Sequence, residues 1–183
     1  MADEGADQRA IVELVHRDRS AFWMRDAEEW ARCFVQAPPL LRWGWSRIGG
    51  AYCQRGWQEI WSRLLKEFEE LPAPNPDLAH RTTIENVAIE VKGDVAWMSF
   101  DQQYPAGHSY RGVEPGRTHE FRLFERQADG WKIAVSALVD TLRHQPPNLL
   151  RLGRGGVIEW MGPAARAAIE RSEDLVIRGG RLR

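Results

Sequence analysis

GDVAWMSFDQQY (Gly93 to Tyr104) and RTHEFRLFERQADGWKIAVSALVD (Arg117 to Asp140) are the stretches on which the fold turns. Val95-Ala-Trp-Met-Ser-Phe100 and Trp131-Lys-Ile-Ala-Val135 are rich in aromatic and β-branched residues, which suit a pleated, half-buried surface. Lys92-Gly-Asp94 and Gln127-Ala-Asp-Gly130 place Gly and Asp where the chain must reverse, so hairpins are expected there. Just upstream, Val87, Ile89 and Val91 alternate with Ala88 and Glu90, the period of a half-buried strand. Four strands are therefore expected between Arg81 and Thr141. Asp101, Gln103, Glu120 and Arg122 interrupt them, and burying such groups requires partners or water. A curved sheet with polar groups on its inner face implies a pocket. Pro105 to Gly116 is expected to overhang it, with His108 placed to close over a ligand.

The residues before the sheet read as its cover. Asp7 to Trp23 is expected to be a helix with Ile11, Leu14, Val15 and Phe22 on its apolar face. Asp18 falls inside that stripe, either reaching solvent at its boundary or standing at the pocket wall. Asp26-Ala-Glu-Glu29 is a helix-start signal, followed by Ala27, Trp30, Ala31 and Phe34 at helical spacing. Pro38-Pro39 is expected to stop that helix. Leu40 to Trp45 reads as extended, and Gly49-Gly50 as a turn. Trp57 to Glu70 carries an unbroken stripe of Trp57, Ile60, Trp61, Leu64, Leu65 and Phe68, and Pro72 to Pro76 ends it.

A chain of 183 residues with 43% hydrophobic and 28% charged residues suits a domain with a sizeable core and a small appendage. A net charge of −1 gives no overall field favouring nucleic acid or an anionic membrane. The opening MADEGADQ is acidic, unlike a secretory signal, and no apolar run is long enough to span a bilayer, so a cytoplasmic protein is expected. Cys33 and Cys53 form neither a metal spacing nor a disulfide framework, and both read as reduced. His16, His80 and His144 show no H-x-H or H-E-x-x-H spacing, so no metal is expected. No phosphate loop, nucleophile elbow or complete dinucleotide fingerprint is present, so no cofactor is expected either. Nine tryptophans are the one oddity of composition; most belong in a core, and so many rings also suit an aromatic-lined cavity.

Composition shifts after Thr141, and residues 1–145 and 146–183 read as separate domains. Gly153-Arg-Gly-Gly156 is expected to turn a hairpin between Leu149–Leu152 and Val157–Met161, with a short helix Ala164–Arg171 after Pro163. From Asn148 the tail holds seven arginines against four acidic residues, a charge of +3 that leaves −4 on the rest. So small a unit lacks a self-sufficient core, and it is expected to pack on the main domain or, in preference, on a second subunit.

Helices followed by a long antiparallel sheet, over roughly Asp7 to Thr141, resemble the nuclear transport factor 2-like superfamily in its SnoaL-like branch. FWMRDAEEW (Phe22 to Trp30) is similar to the family's helix break, and Gly56-Trp-Gln-Glu-Ile60 to the opening of its third helix. Glu85 to Trp97 is similar to its central hairpin, and His119-Glu-Phe-Arg122 with Asp129-Gly-Trp-Lys-Ile133 to its final one. The resemblance implies an α+β class: a cone-shaped curved antiparallel sheet wrapped around N-terminal helices, here with a C-terminal β-hairpin and helix extension. It also implies a pocket between sheet and helices and a homodimer formed through the sheet. Ketosteroid isomerases of that superfamily use an aspartate base, a tyrosine and a carboxylic acid. The base position falls near Arg42-Trp43 and no tyrosine precedes Tyr52, so only Glu120 matches a role. Gly155 to Ala165 and Gly179 to Arg183 resemble the opening strands of the PAS-like sensor segment of LuxR-type regulators, here as a stub.

The leading functional expectation is a homodimer that binds a small apolar or aromatic ligand, without nucleic acid or membrane as partner. Trp23, Trp43 and Trp97 are its expected walls, and Asp18, Asp101, Glu120 and Arg122 the groups that orient the ligand. If Asp101 and Arg122 share the inner face, the guanidinium holds the carboxylate ionised and offers a ligand a bidentate donor. A slip of one residue exchanges the faces. His119 must point away from Glu120, so only one of them lines the pocket. The alternative is a cofactor-independent lyase, isomerase or hydrolase, with Asp101 or Glu120 as base and Arg122 stabilising an oxyanion. A third reading is a structural or regulatory dimer with no ligand.

Overall fold

The computed structural model describes residues 4–141 except 47, 72, 108–109 and 112–115, and the short strands 150–152, 158–161, 177–178 and 181–182. Contacts divide the chain into two compact units, Met1–Thr141 and Leu142–Arg183.

In the first unit α1 (Glu4–Met24), α2 (Ala27–Arg32), α3 (Trp57–Glu70) and α4 (Pro76–Arg81) cover a six-stranded sheet. Its strands are β1 (Leu41–Ser46), β2 (Gly50–Arg55), β3 (Thr83–Lys92), β4 (Val95–Gln103), β5 (Arg117–Gln127) and β6 (Gly130–Thr141). They lie in the order β2-β1-β6-β5-β4-β3. Every neighbouring pair is antiparallel except β1 with β6. The class is α+β. The four strands expected between Arg81 and Thr141 are β3 to β6.

The apolar stripes read from the sequence meet in one core. Ile11, Leu14 and Val15 of α1 and Ile60, Leu64 and Phe68 of α3 bury against Met98, Phe100, Phe124 and Ile133 of the sheet. The cap of α2 is the expected one: Asp26 accepts a hydrogen bond from the Glu29 N–H at 2.9 Å. That helix ends at Arg32, before Pro38, because the next residues enter the sheet. Ile133 N–H donates to Cys33 O at 2.8 Å and Val35 N–H to Ile133 O at 3.0 Å. At its far end α1 is anchored through Asp7, which accepts from Trp131 Nε1 at 3.1 Å and pairs with Arg126 at 2.6 Å.

Three features depart from the sequence reading. The residues after Gly49 form β2, a strand with few apolar side chains and hence little period-two signal. The proline-rich stretch after α3 leads into the short α4, capped by Asn75, which accepts from Leu78 N–H at 3.0 Å. The alternation of Val87, Ile89 and Val91 is broken, since a bulge between Glu85 and Ala88 puts Asn86 at φ 52°. Ile89 and Val91 pack on the core while Val87 is 45% exposed. Entry into α3 requires Gly56, at φ 77°, where its N–H donates to Leu40 O at 2.8 Å.

In the second unit β7 (Leu150–Leu152) pairs antiparallel with β8 (Ile158–Met161), the hairpin read around Gly153–Gly156. A further pair joins β9 (Ile177–Arg178) to β10 (Arg181–Leu182). The helix expected at Ala164–Arg171 and the loop residue His108 lie outside the described residues.

Candidate functional site

Residues paired across neighbouring strands share a face, so the register fixes what the sheet presents to the helices. From β2 to β4, one inner row runs Gln54, Arg42, Ser136, Arg122 and Met98. The next runs Tyr52, Gly44, Leu138, Glu120 and Phe100. The β4 end of these rows is apolar core. Their β1–β2 end is polar and borders a cavity.

The cavity measures about 440 Å³ and lies between the β1–β2 hairpin, α3, the end of α1 and the segment joining β4 to β5. Phe22, Trp23, Tyr52, Tyr104 and Tyr110 form its aromatic wall. Trp23 meets Phe22, Tyr104 and Tyr110 edge to face, at centroid distances of 5.0, 5.9 and 5.0 Å. The joining segment is tied to α3: Tyr110 Oη donates to Glu67, and Arg111 pairs with Glu70 at 2.8 Å. Burial raises the Tyr52, Tyr104 and Tyr110 hydroxyls above their ordinary range, so all three remain protonated donors.

Asp18, Glu120 and Arg122 form a buried cluster next to this space. Arg122 Nη2 lies 2.7 Å from Glu120 Oε2, an ion pair out of line for a hydrogen bond, and 3.4 Å from Asp18 Oδ2. The same guanidinium donates to Ser136 Oγ through Nη1. Burial works against the Arg122 charge, but Glu120 and then Asp18 outweigh it and hold its pKa above the ordinary value. Burial pushes the Asp18 carboxyl up, against the pull of Arg122 and Arg42. The cluster reaches the cavity through Glu120 Oε1. It accepts from Thr118 Oγ1 at 2.9 Å, and Thr118 lines the space. It also accepts at 3.2 Å from Gln102 Nε2, which donates in turn to the cavity-lining Tyr104 Oη.

Of the residues singled out in the sequence, Trp23 lines the cavity, and Asp18, Glu120 and Arg122 are brought together beside it. Trp43, Trp97 and Asp101 are corrected, because all three stand on the outer face. Trp43 is paired with Cys53 and Ala137 and is 46% exposed. Trp97 donates through Nε1 to Glu90 at 3.0 Å and stacks on Phe121 at 6.3 Å. Asp101 is opposite His119 and Arg122 opposite Met98, three positions apart on β4, and an odd offset puts them on opposite faces. Asp101 therefore pairs with Arg117 and accepts from Asn86 at 2.7 Å and from His119 Nδ1 at 2.9 Å. His119 Nε2 lies 3.3 Å from Ser99 Oγ, so the three have the order of an acid–base relay, but away from the cavity.

The sequence reading missed Arg42, Tyr52, Gln54, Tyr104 and Tyr110. Tyr52 and Gln54 alternate along β2, which a period-two reading past Gly50 finds. Among the described residues Trp23 is the one tryptophan in the cavity wall, and Phe22 and three tyrosines supply the other rings. Among the described residues no group of three His, Cys, Asp or Glu could hold a metal. No helix among them is long and apolar enough to cross a membrane.

No family model and no curated protein matches the chain by sequence. Solved structures do match by shape. A cystatin-like-fold protein of unknown function from Nostoc punctiforme aligns with a TM-score of 0.58 at 16% identity, over 78% of this chain and 97% of that one. An NTF2-like family protein from Streptomyces avermitilis, provisionally named a dehydratase, aligns with a TM-score of 0.56 at 15% identity, over 75% and 98%. An NTF2-like protein with a cystatin-like fold from Novosphingobium aromaticivorans gives a TM-score of 0.52 at 15% identity, over 75% and 84%. The chain has the cystatin-like fold of NTF2-like proteins.

Proposed function

We propose that this protein binds a small, largely apolar molecule in the cavity between the sheet and the helices α1 and α3. The aromatic wall of Phe22, Trp23, Tyr52, Tyr104 and Tyr110 around about 440 Å³ carries this reading. That volume falls among small-molecule pockets, which span roughly 300–1,000 Å³ and join apolar walls to a few placed polar groups. Trp23 in the wall makes binding visible. Intrinsic fluorescence and melting temperature, measured against aromatic, terpenoid and polyketide-like compounds, are expected to respond to part of the panel. Silence in both across the whole panel would sink the reading.

In the same proposal the protein is a cytoplasmic homodimer joined through the outer sheet face. Trp43, Trp45, Phe121 and Val139 are exposed there, and adjacent rows of the register connect them. Exposed apolar surface of that extent favours burial against a partner. Sedimentation of the Trp43→Glu, Phe121→Glu double variant is expected to give monomer where the parent gives dimer. A monomeric parent would remove the interface.

A catalytic reading is favoured by one arrangement, the Glu120 carboxylate, which reaches the cavity lining through Thr118 and has the Arg122 guanidinium at 2.7 Å, as a base and its electrostatic partner require. The Streptomyces neighbour provisionally named a dehydratase points the same way. Glu120→Gln is then expected to keep ligand binding and lose conversion of the bound compound. Unchanged conversion removes Glu120 from the chemistry.

A further inference from the structure

Resting on the small-molecule reading above, the geometry points to a ligand with an anionic head: we propose that the cavity takes an aromatic monocarboxylate, its carboxylate held by Arg42 with Gln54 and Tyr52. Arg42 and Gln54 are direct partners in the β1–β2 register, and Tyr52 is two residues from Gln54 on the same face. All three line the cavity. Gln54 is only 8% exposed, yet its Oε1 has no hydrogen-bond partner, and neither has the buried Nε of Arg42. Buried polar groups left in this way are costly unless a bound molecule or water completes them. The Arg42 guanidinium lies over the Trp30 ring at 5.3 Å, which fixes its plane while leaving its edge for a planar acceptor.

Charge selects the sign of that acceptor. Asp18 and Glu120 are the carboxylates of the buried cluster, and Arg122, Arg42 and Arg19 are the guanidiniums acting on Asp18. The guanidiniums outnumber the carboxylates, so the cluster carries excess positive charge in either form of Asp18, and Arg42 is the one of its cations that lines the cavity. The acidic residues of the cavity are engaged: Glu67 accepts from Tyr110, Glu70 pairs with Arg111, and Asp140 is also partnered. Arg63 and Lys66, on the α3 side, add positive charge to the lining. A carboxylate offsets that excess and accepts from Arg42 and the Tyr52 hydroxyl; a half-turn of the Gln54 amide exchanges the unpartnered Oε1 for Nε2, which then donates to it as well. An aromatic body then lies against the Trp23, Tyr104 and Tyr110 wall.

The test compares 2-naphthoate with its neutral counterpart 2-naphthamide on the full chain, by calorimetry and Trp fluorescence. The expected result is naphthoate binding at least tenfold tighter, with the preference lost in Arg42→Gln and largely kept in Arg42→Lys. Melting curves establish that each variant is folded, and Gln54→Leu, which leaves Arg42 in place, is expected to weaken naphthoate several-fold. Equal binding of the two compounds, or a preference that survives Arg42→Gln, overturns the carboxylate assignment and leaves the aromatic pocket standing. Binding of neither compound overturns the assignment. Silence across the wider neutral panel overturns the pocket separately.

Discussion

Asp18 and Arg122 are 104 positions apart in the chain, yet they face each other at 3.4 Å with both side chains buried. Arg122 also serves Glu120, so its removal takes from two buried carboxylates the cation they share. Arg122→Ala is expected to lower unfolding free energy by about 3–5 kcal/mol, the usual result of breaking a buried charge pair from one side. Chemical denaturation measures it. A loss under about 1 kcal/mol would mean that water reaches and solvates the cluster.

Asp18 has its folded-state pKa raised, chiefly by burial. A raised carboxyl gives stability that is fully present below the unfolded pKa of 3.8 and is lost as pH rises through the folded value. Asp18→Asn removes that dependence. Unfolding free energies measured upward from pH 4 should therefore shift in favour of the asparagine variant. A difference that stays constant with pH contradicts the assignment.

Asp101 has the opposite sign. Hydrogen bonds from Asn86 and His119, and then Arg117, hold its carboxyl down at about 2. Its contribution is present above the unfolded pKa of 3.8 and is lost as pH falls toward about 2. Asp101→Asn is expected to cost about 1–2 kcal/mol at neutral pH, with the gap closing in acid. A gap unchanged at pH 2.5 would show that the charge of Asp101 is not what stabilises the outer face.

Gly44 sits where β1 runs parallel against β6, and a Cβ there would lie 2.1 Å from the Leu138 carbonyl oxygen. The oxygen is backbone and the position of a Cβ is fixed by backbone, so neither can swing aside. Gly44→Ala is expected to cost about 3 kcal/mol or more, beyond ordinary overpacking. A melting temperature equal to the parent's would show that β1 can separate from β6 locally.

The two thiols should differ. Cys33 is buried, donates through Sγ to Glu29 O at 3.3 Å, and has its thiol pushed up to about 12 chiefly by burial. Cys53 is exposed on the outer face opposite Trp43. An alkylating reagent at pH 8 is expected to modify Cys53 first and Cys33 only on unfolding. If dilution speeds Cys53 labelling, the outer face is covered in the dimer. Equal rates for both thiols would contradict the burial of Cys33.

Much of the fold was legible in the chain itself. The stripe of α3 from Trp57 to Phe68, the Asp26 cap and the hairpins around Gly93 and Gly130 are local patterns, each set by a repeat or turn within a few residues. The site was legible only in part. Asp18 drew notice as a charge inside an apolar stripe, and Glu120 and Arg122 as charges inside strands. Period two then ties Glu120 to Arg122 and separates both from His119. Which face turns inward depends on the pairing of β5 with β4 and β6, where one position of slip exchanges every side chain. That pairing put Asp101, Trp97 and Trp43 outside. It also brought Arg42, Tyr52 and Gln54 to the cavity through the β1–β2 hairpin, whose second strand carries too little apolar alternation to declare itself. Local periodicity determined the elements; long-range register decided the pocket, because a side chain's neighbours across a sheet come from strands far away in the chain.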